Sequence, residues 1–107
     1  MLQVTVVRVR PEKVARLKEW MAELECRADE VRETFRQEGV RHEQAVLVET
    51  SDGPLLVYVG EMADVEASQR AFASSTLPID AEHKAALAEV LGDRPPTTTL
   101  LDLRAEP

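Results

Sequence analysis

One cysteine, four glycines and an aromatic content of 4% set the first limits on this 107-residue chain. The lone Cys26 can form no internal disulfide and cannot supply a multi-cysteine metal site. Acidic neighbours at Glu23, Glu25, Asp29 and Glu30 disfavour its thiolate, so it is a poor nucleophile. Cations are in deficit: 13 Lys+Arg stand against 20 Asp+Glu, a formal charge of −7. That balance argues against a nucleic-acid groove or an anionic membrane as partner. No apolar run approaches the roughly 18 residues of a membrane span. The N-terminus lacks a positive-apolar-small leader pattern, so a cytoplasmic location is expected. The chain has no phosphate loop, no dinucleotide glycine motif and no Gly-x-Ser-x-Gly elbow. It has two histidines and no His-x-x-x-His or His-x-x-Glu spacing, so neither a metal nor another cofactor is expected.

What is present reads as one domain over residues 1–107. Leu2 to Val9 is β-branched and roughly alternating, a strand pattern. Pro11 fits a first helical turn, where its missing N–H costs nothing. From Glu12 to about Glu38, Val14, Leu17, Met21, Leu24, Ala28, Val31 and Phe35 recur at spacings of three and four, one apolar stripe on an amphipathic helix. Gly39 is placed to cap it in the left-handed region. Val40 to Glu49 reads as a second strand. Ser51-Asp52-Gly53-Pro54 is turn chemistry, which returns Leu55 to Glu61 as its hairpin partner. Asp64 caps a helix to about Ser74. Pro78 interrupts, and Asp80 is expected to cap a helix over Ala81–Leu91, ended by Gly92. Thr97 to Leu103 is the expected last strand. The order β-α-β-β-α(α)-β predicts an α+β ferredoxin-like plait, with helices on one face of a four-stranded antiparallel sheet.

A plait with one open face shows apolar/polar alternation. Here Ala45–Val48 and Leu55–Val59 are apolar on both faces, as are Val6-Val7 and Leu100-Leu101. Pairing two open faces in a homodimer, a dimeric α/β barrel, would bury the second apolar set. The first helix, about 27 residues and roughly 40 Å, outruns a strand of about 20–27 Å. It must bend, break or overhang, folding back on its own domain or reaching a partner.

His83 is the most pointed candidate for chemistry. It falls four residues before Leu87 and seven before Val90, so it faces inward near a helix start. Burial and the helix dipole both favour neutral imidazole, able to donate a hydrogen bond or act as a base near neutrality. Glu43 shares its strand side with Ala45, Leu47 and Glu49, a largely apolar face where a carboxyl would have a raised pKa suited to acid–base work. His42 points to the other face. Tyr58 precedes Gly60 on one side of its strand, leaving space for a ligand or anchoring a sheet contact. Trp20 lies at the edge of the helix stripe, as core or cavity wall. Asp80 orients the His83 turn. The catalytic candidates are therefore His83 and Glu43, and the ligand-binding candidates Asp80, Tyr58, Trp20 and His42. Each also has a purely structural reading, as a packed core-edge histidine or a solvated strand end.

Arg8-Val9-Arg10-Pro11-Glu12-Lys13, Arg16-Leu17-Lys18-Glu19-Trp20, Glu38-Gly39-Val40 and Pro78-Ile79-Asp80-x-x-His83-Lys84 together resemble a small bacterial and archaeal family of unknown function. That family resembles the dimeric α+β barrel group, which includes sugar mutarotases, cofactor-independent monooxygenases and haem-using relatives. The resemblance implies a homodimeric barrel and assigns no activity. Binding or acid–base turnover of a small polar organic molecule, in the manner of the mutarotase class, is the leading expectation. A non-catalytic dimeric ligand-sensing or structural module and a monooxygenase-like enzyme are the rivals.

Overall fold

The alternating segments do form strands, and the computed structural model describes residues 1–107. In order they are β1 (Leu2–Arg8), a 3-10 turn at Pro11–Lys13, α1 (Val14–Cys26), α2 (Ala28–Glu38), β2 (Val40–Thr50), β3 (Gly53–Met62), α3 (Val65–Ser74) and α4 (Pro78–Val90). The sheet is antiparallel with order β1-β3-β2. Its register places Val7 opposite Leu56 and Thr5 opposite Tyr58 on one side of β3, and Glu43 opposite Gly60 on the other. At the hairpin the Thr50 hydroxyl donates to the Gly53 carbonyl at 2.7 Å and accepts from the Asp52 N–H at 3.1 Å. Gly53 takes φ 115°, a value that a side chain would resist. Gly39 ends α2 at φ 74°, and Asp64 caps α3 by accepting from the Ala67 N–H at 3.0 Å.

Strand alternation divides the sheet into two unlike faces. One carries Val7, Leu56, Tyr58 and Met62 beneath the helices. There Val9, Leu17, Leu56 and Val90 pack into one buried cluster, and Trp20, Ile79 and Ala86 into a second, between helices. The other face is open and apolar: Leu2 is 57% exposed, Val4 55%, Val46 40% and Val48 37%.

Three expectations need correction. The first helix is two, broken at Arg27, although no proline or glycine marks the place. The backbone there leaves the helical region at φ −107°, ψ 36°. The Arg27 guanidinium bridges Glu30 at 2.7 Å and Glu82 of α4 at 2.6 Å. The break turns α2 back over its own domain, where Thr34 becomes buried.

The second correction concerns Asp80, which does not cap α4. Pro78 is already in the first turn and Leu77 holds the cap position, so Asp80 lies inside the helix and only 2% exposed.

The third is the sheet, which has three strands rather than four. Residues 97–103 pair with nothing, and Leu100, Leu101 and Leu103 are 92%, 75% and 80% exposed. Pro95 and Pro96, which lack the N–H that a ladder requires, intervene before this segment reaches β1.

Candidate functional site

Between the helix-facing side of the sheet and the four helices lies a cavity of about 640 Å³. β3 contributes Tyr58 and Gly60, β2 Glu43, α2 Thr34 and Glu38, α3 Phe72, and α4 Asp80 and His83. The inward register of α4 and of the hairpin, both legible in the sequence, thus brings His83, Glu43, Tyr58 and Asp80 to one space.

The orientation of His83 is set by Trp20. The indole Nε1–H donates to His83 Nδ1 at 2.8 Å. An indole can only donate, so Nδ1 must be the unprotonated nitrogen and Nε2 carries the hydrogen. Nε2 in turn points to the Tyr58 hydroxyl, at 3.5 Å. Trp20 stacks on the imidazole at 5.9 Å between centroids, and Phe72 meets it edge-on at 6.0 Å. Burial in this aromatic cage lowers the His83 pKa, while the charge of Asp80 pulls the other way. Protonation would also set an Nδ1–H against the indole N–H, two donors face to face. His83 is therefore a neutral imidazole that presents an N–H, not a lone pair, toward Tyr58.

Acid chemistry occupies the β2 and α2 side. Burial raises the Glu43 pKa. Burial, helped by the Glu43 charge, also raises that of the Tyr58 phenol. The Glu38 carboxyl is pushed up to about 7, chiefly by burial and then by Asp80 and Glu43, against the Thr34 hydroxyl. Asp80 accepts from Thr34 Oγ1 at 2.6 Å and from Ser75 Oγ at 2.5 Å on the same oxygen, Oδ2. Thr34 Oγ1 also lies 3.3 Å from Glu38 Oε1. One hydroxyl has one proton. Thr34 therefore donates to one carboxylate at a time, Asp80 at the shorter distance and Glu38 at the longer.

Trp20, read as core or cavity wall, stands behind the cavity as the anchor of His83. Tyr58 faces the cavity, not the open side of the sheet. His42 is not brought to the site: it is exposed, paired with Glu61 in the register, on the face opposite Glu43. Thr34, Glu38, Ser75 and Phe72 were missed. Thr34 and Glu38 carried a signal, because each lies three or seven residues after Val31 on the apolar stripe, where a polar side chain must face inward. No three His, Cys, Asp or Glu side chains converge in a way that could hold a metal ion. No helix is long and apolar enough to cross a membrane.

Fold and site together define an α+β domain with an aromatic-caged histidine over an acid-lined cavity. A family profile described as Family of unknown function (DUF6176) matches residues 1–106, and the chain belongs to that family. No curated protein and no solved structure matches the chain.

Proposed function

We propose that the cavity binds a small organic molecule bearing a carbonyl or hydroxyl oxygen and moves a proton on it, in the manner of a sugar mutarotase. The carrying observation is the Trp20-fixed tautomer of His83. It aims Nε2–H beside the Tyr58 hydroxyl, in a cavity that Glu43 also lines. In this reading His83 and Tyr58 donate hydrogen bonds to the substrate oxygen on which negative charge develops. Glu43 is the base: it takes a proton from the substrate as carboxylate and returns it to a different atom, so no electrons are exchanged. A raised carboxyl pKa suits that exchange near neutrality. Asp80 holds the start of α4 through Thr34 and Ser75, and Trp20 positions His83. Among the lining residues Glu25, Glu38, Glu43 and Asp80 outnumber the single cation Arg94, which favours a neutral or cationic substrate over an anionic one.

The test is exchange NMR of anomeric interconversion across a panel of neutral and amino sugars. Wild-type protein should accelerate at least one, and Glu43→Gln should reduce the rate by about 10²-fold or more. Acceleration that survives Glu43→Gln unchanged would remove the base assigned here. No acceleration and no ligand-induced shift with any sugar would remove the mutarotase reading.

A second reading is favoured by one observation: both ring nitrogens of His83 are engaged, by Trp20 and Tyr58. A site so arranged recognises an oxygen without reacting with it, as a ligand-sensing module does. We also assign a homodimer through the open sheet face, supported by exposed Leu2, Val4, Val46 and Val48. The cytoplasm is the assigned location, because the exposed, unpaired Cys26 suits a reducing compartment.

A further inference from the structure

The segment after α4 begins a fourth strand and abandons it. Val9 bridges Leu91 in antiparallel fashion on the edge of β1 away from β3. The Arg10 N–H donates to the Val90 carbonyl at 2.9 Å, and the Gly92 N–H to the Arg8 carbonyl at 2.8 Å. The Arg8 N–H then bonds Asp93, not Gly92, at 2.9 Å, one residue out of step. Continued from that bond, the register sets Pro95 opposite Val6, where the ladder needs an N–H that proline lacks. Pairing stops there. The β1 edge from Leu2 to Val6 keeps its backbone groups free, and residues 97–103 leave the sheet as Thr-Thr-Thr-Leu-Leu-Asp-Leu. This run has strand-forming residues and three leucines in solvent. A free edge and an exposed apolar strand are each a template for pairing.

We propose that residues 97–103 form an exchange arm, which pairs as the fourth strand with the free Leu2–Val6 edge of a second copy while that copy's arm does the same in return. The occupant is a second copy for three reasons. Edge and arm are both carried by one chain, so a twofold axis satisfies two edges and two arms at once and leaves nothing open. The lengths agree: five edge residues span about 17 Å and seven arm residues about 23 Å. The third reason is area. The proposal rests on the open-face pairing assigned above, and that face alone is small. Strands of 7, 11 and 10 residues, at about 3.4 Å per residue and about 4.8 Å apart, give roughly 450 Å² of projected face, against about 800 Å² per partner in a stable dimer. Along the arm Leu101 and Leu103 share one side and Leu100 takes the other, so arms laid beside Leu2 and Val4 widen the sheet with leucine on both faces and bring these side chains out of water.

Two measurements on the full chain test this. Light scattering after size exclusion should give a dimer for the wild type. Replacing Leu100→Asp, Leu101→Asp and Leu103→Asp together should weaken that dimer by at least about tenfold, equivalent to 1.4 kcal/mol. These side chains are 75–92% exposed within the chain, so the variant should melt like the isolated wild-type monomer. In a Cys26→Ser background, Val4→Cys with Thr99→Cys and a bismaleimide should give a covalent dimer. A dimer equally tight in the triple-Asp variant would overturn the arm and spare the sheet-face pairing. A wild-type monomer would overturn both. A cross-link confined to single chains, or no cross-link, would also overturn the exchange.

Discussion

Replacing Trp20 by Phe should unlock His83. The indole N–H is the only group that fixes Nδ1 as an acceptor. Its loss leaves a buried ring nitrogen without a partner, at about 1–3 kcal/mol. The smaller ring also removes roughly 40 Å³ from a site that is 4% exposed, which adds about 1 kcal/mol at ~24 cal/mol per Å³ of unfilled space. The sum is about 2–4 kcal/mol. With an unfolding entropy of about 2.1 cal/mol/K per residue, that lowers the Tm by roughly 9–18 °C. The more discriminating readout is the imidazole itself. The chain has two histidines, so His42→Gln leaves a single ring to follow by nitrogen-15 NMR. In the wild type the proton should sit on Nε2, with Nδ1 bare. In Trp20→Phe the two-donor clash that opposes imidazolium is gone, and the titration midpoint of His83 should rise by about one pH unit. A wild-type ring protonated on Nδ1, or a midpoint indifferent to Trp20→Phe, would refute the tautomer argument and with it the donor role of His83.

Other outcomes follow from the same side chains. Because the folded His83 pKa lies below the ordinary 6.5, the unfolded chain takes up the proton first. Stability should therefore fall as pH drops below about 6.5, and His83→Asn should flatten that limb of a urea-midpoint profile. Glu38 has the opposite sign. Its folded pKa of about 7 exceeds the ordinary 4.5, so the unfolded chain ionises first and stability is lost as pH rises between the two. Full burial would make that gap worth about 3 kcal/mol; for a half-solvated carboxyl, screening reduces it to about 1 kcal/mol. Glu38→Gln should recover that amount at pH 8 and nothing at pH 4, read by thermal melting at both. Asp80→Ala should cost about 1–3 kcal/mol, because the Thr34 and Ser75 hydroxyls lose the one oxygen that accepts from both. It should also lower the Glu38 midpoint, observable by carbon-13 NMR of the carboxyl groups.

The parts of this fold legible in the sequence are those set by local chemistry. Gly39 and Gly53 occupy positive-φ positions, Asp64 caps α3, and the β2–β3 hairpin follows from its turn. The inward placement of His83 and the facing of Glu43 needed only the periods of a helix and a strand. What escaped depends on distant residues. The break at Arg27 is made in concert with Glu82, 55 positions away, and nothing between Cys26 and Ala28 announces it. Asp80 looked like a cap because its partner Thr34 lies 46 positions earlier. Residues 97–103 carry a genuine strand pattern; two prolines deny them their own edge. The site was half visible for the same reason: the strand and helix periods found His83, Glu43 and Tyr58, while the bond that gives His83 its direction joins α1 to α4.

Gly60 has a bearing on how this site can change with descent. A methyl group there would come within 2.8 Å of Cε of Met62. That atom ends a flexible side chain that itself lines the cavity, so it can swing aside without disturbing the backbone. Substitution at position 60 would reshape the floor of the cavity while leaving the strand register intact. Positions 60 and 62 form an adjustable pair, through which the volume of the cavity can change while His83 and its indole anchor stay in place.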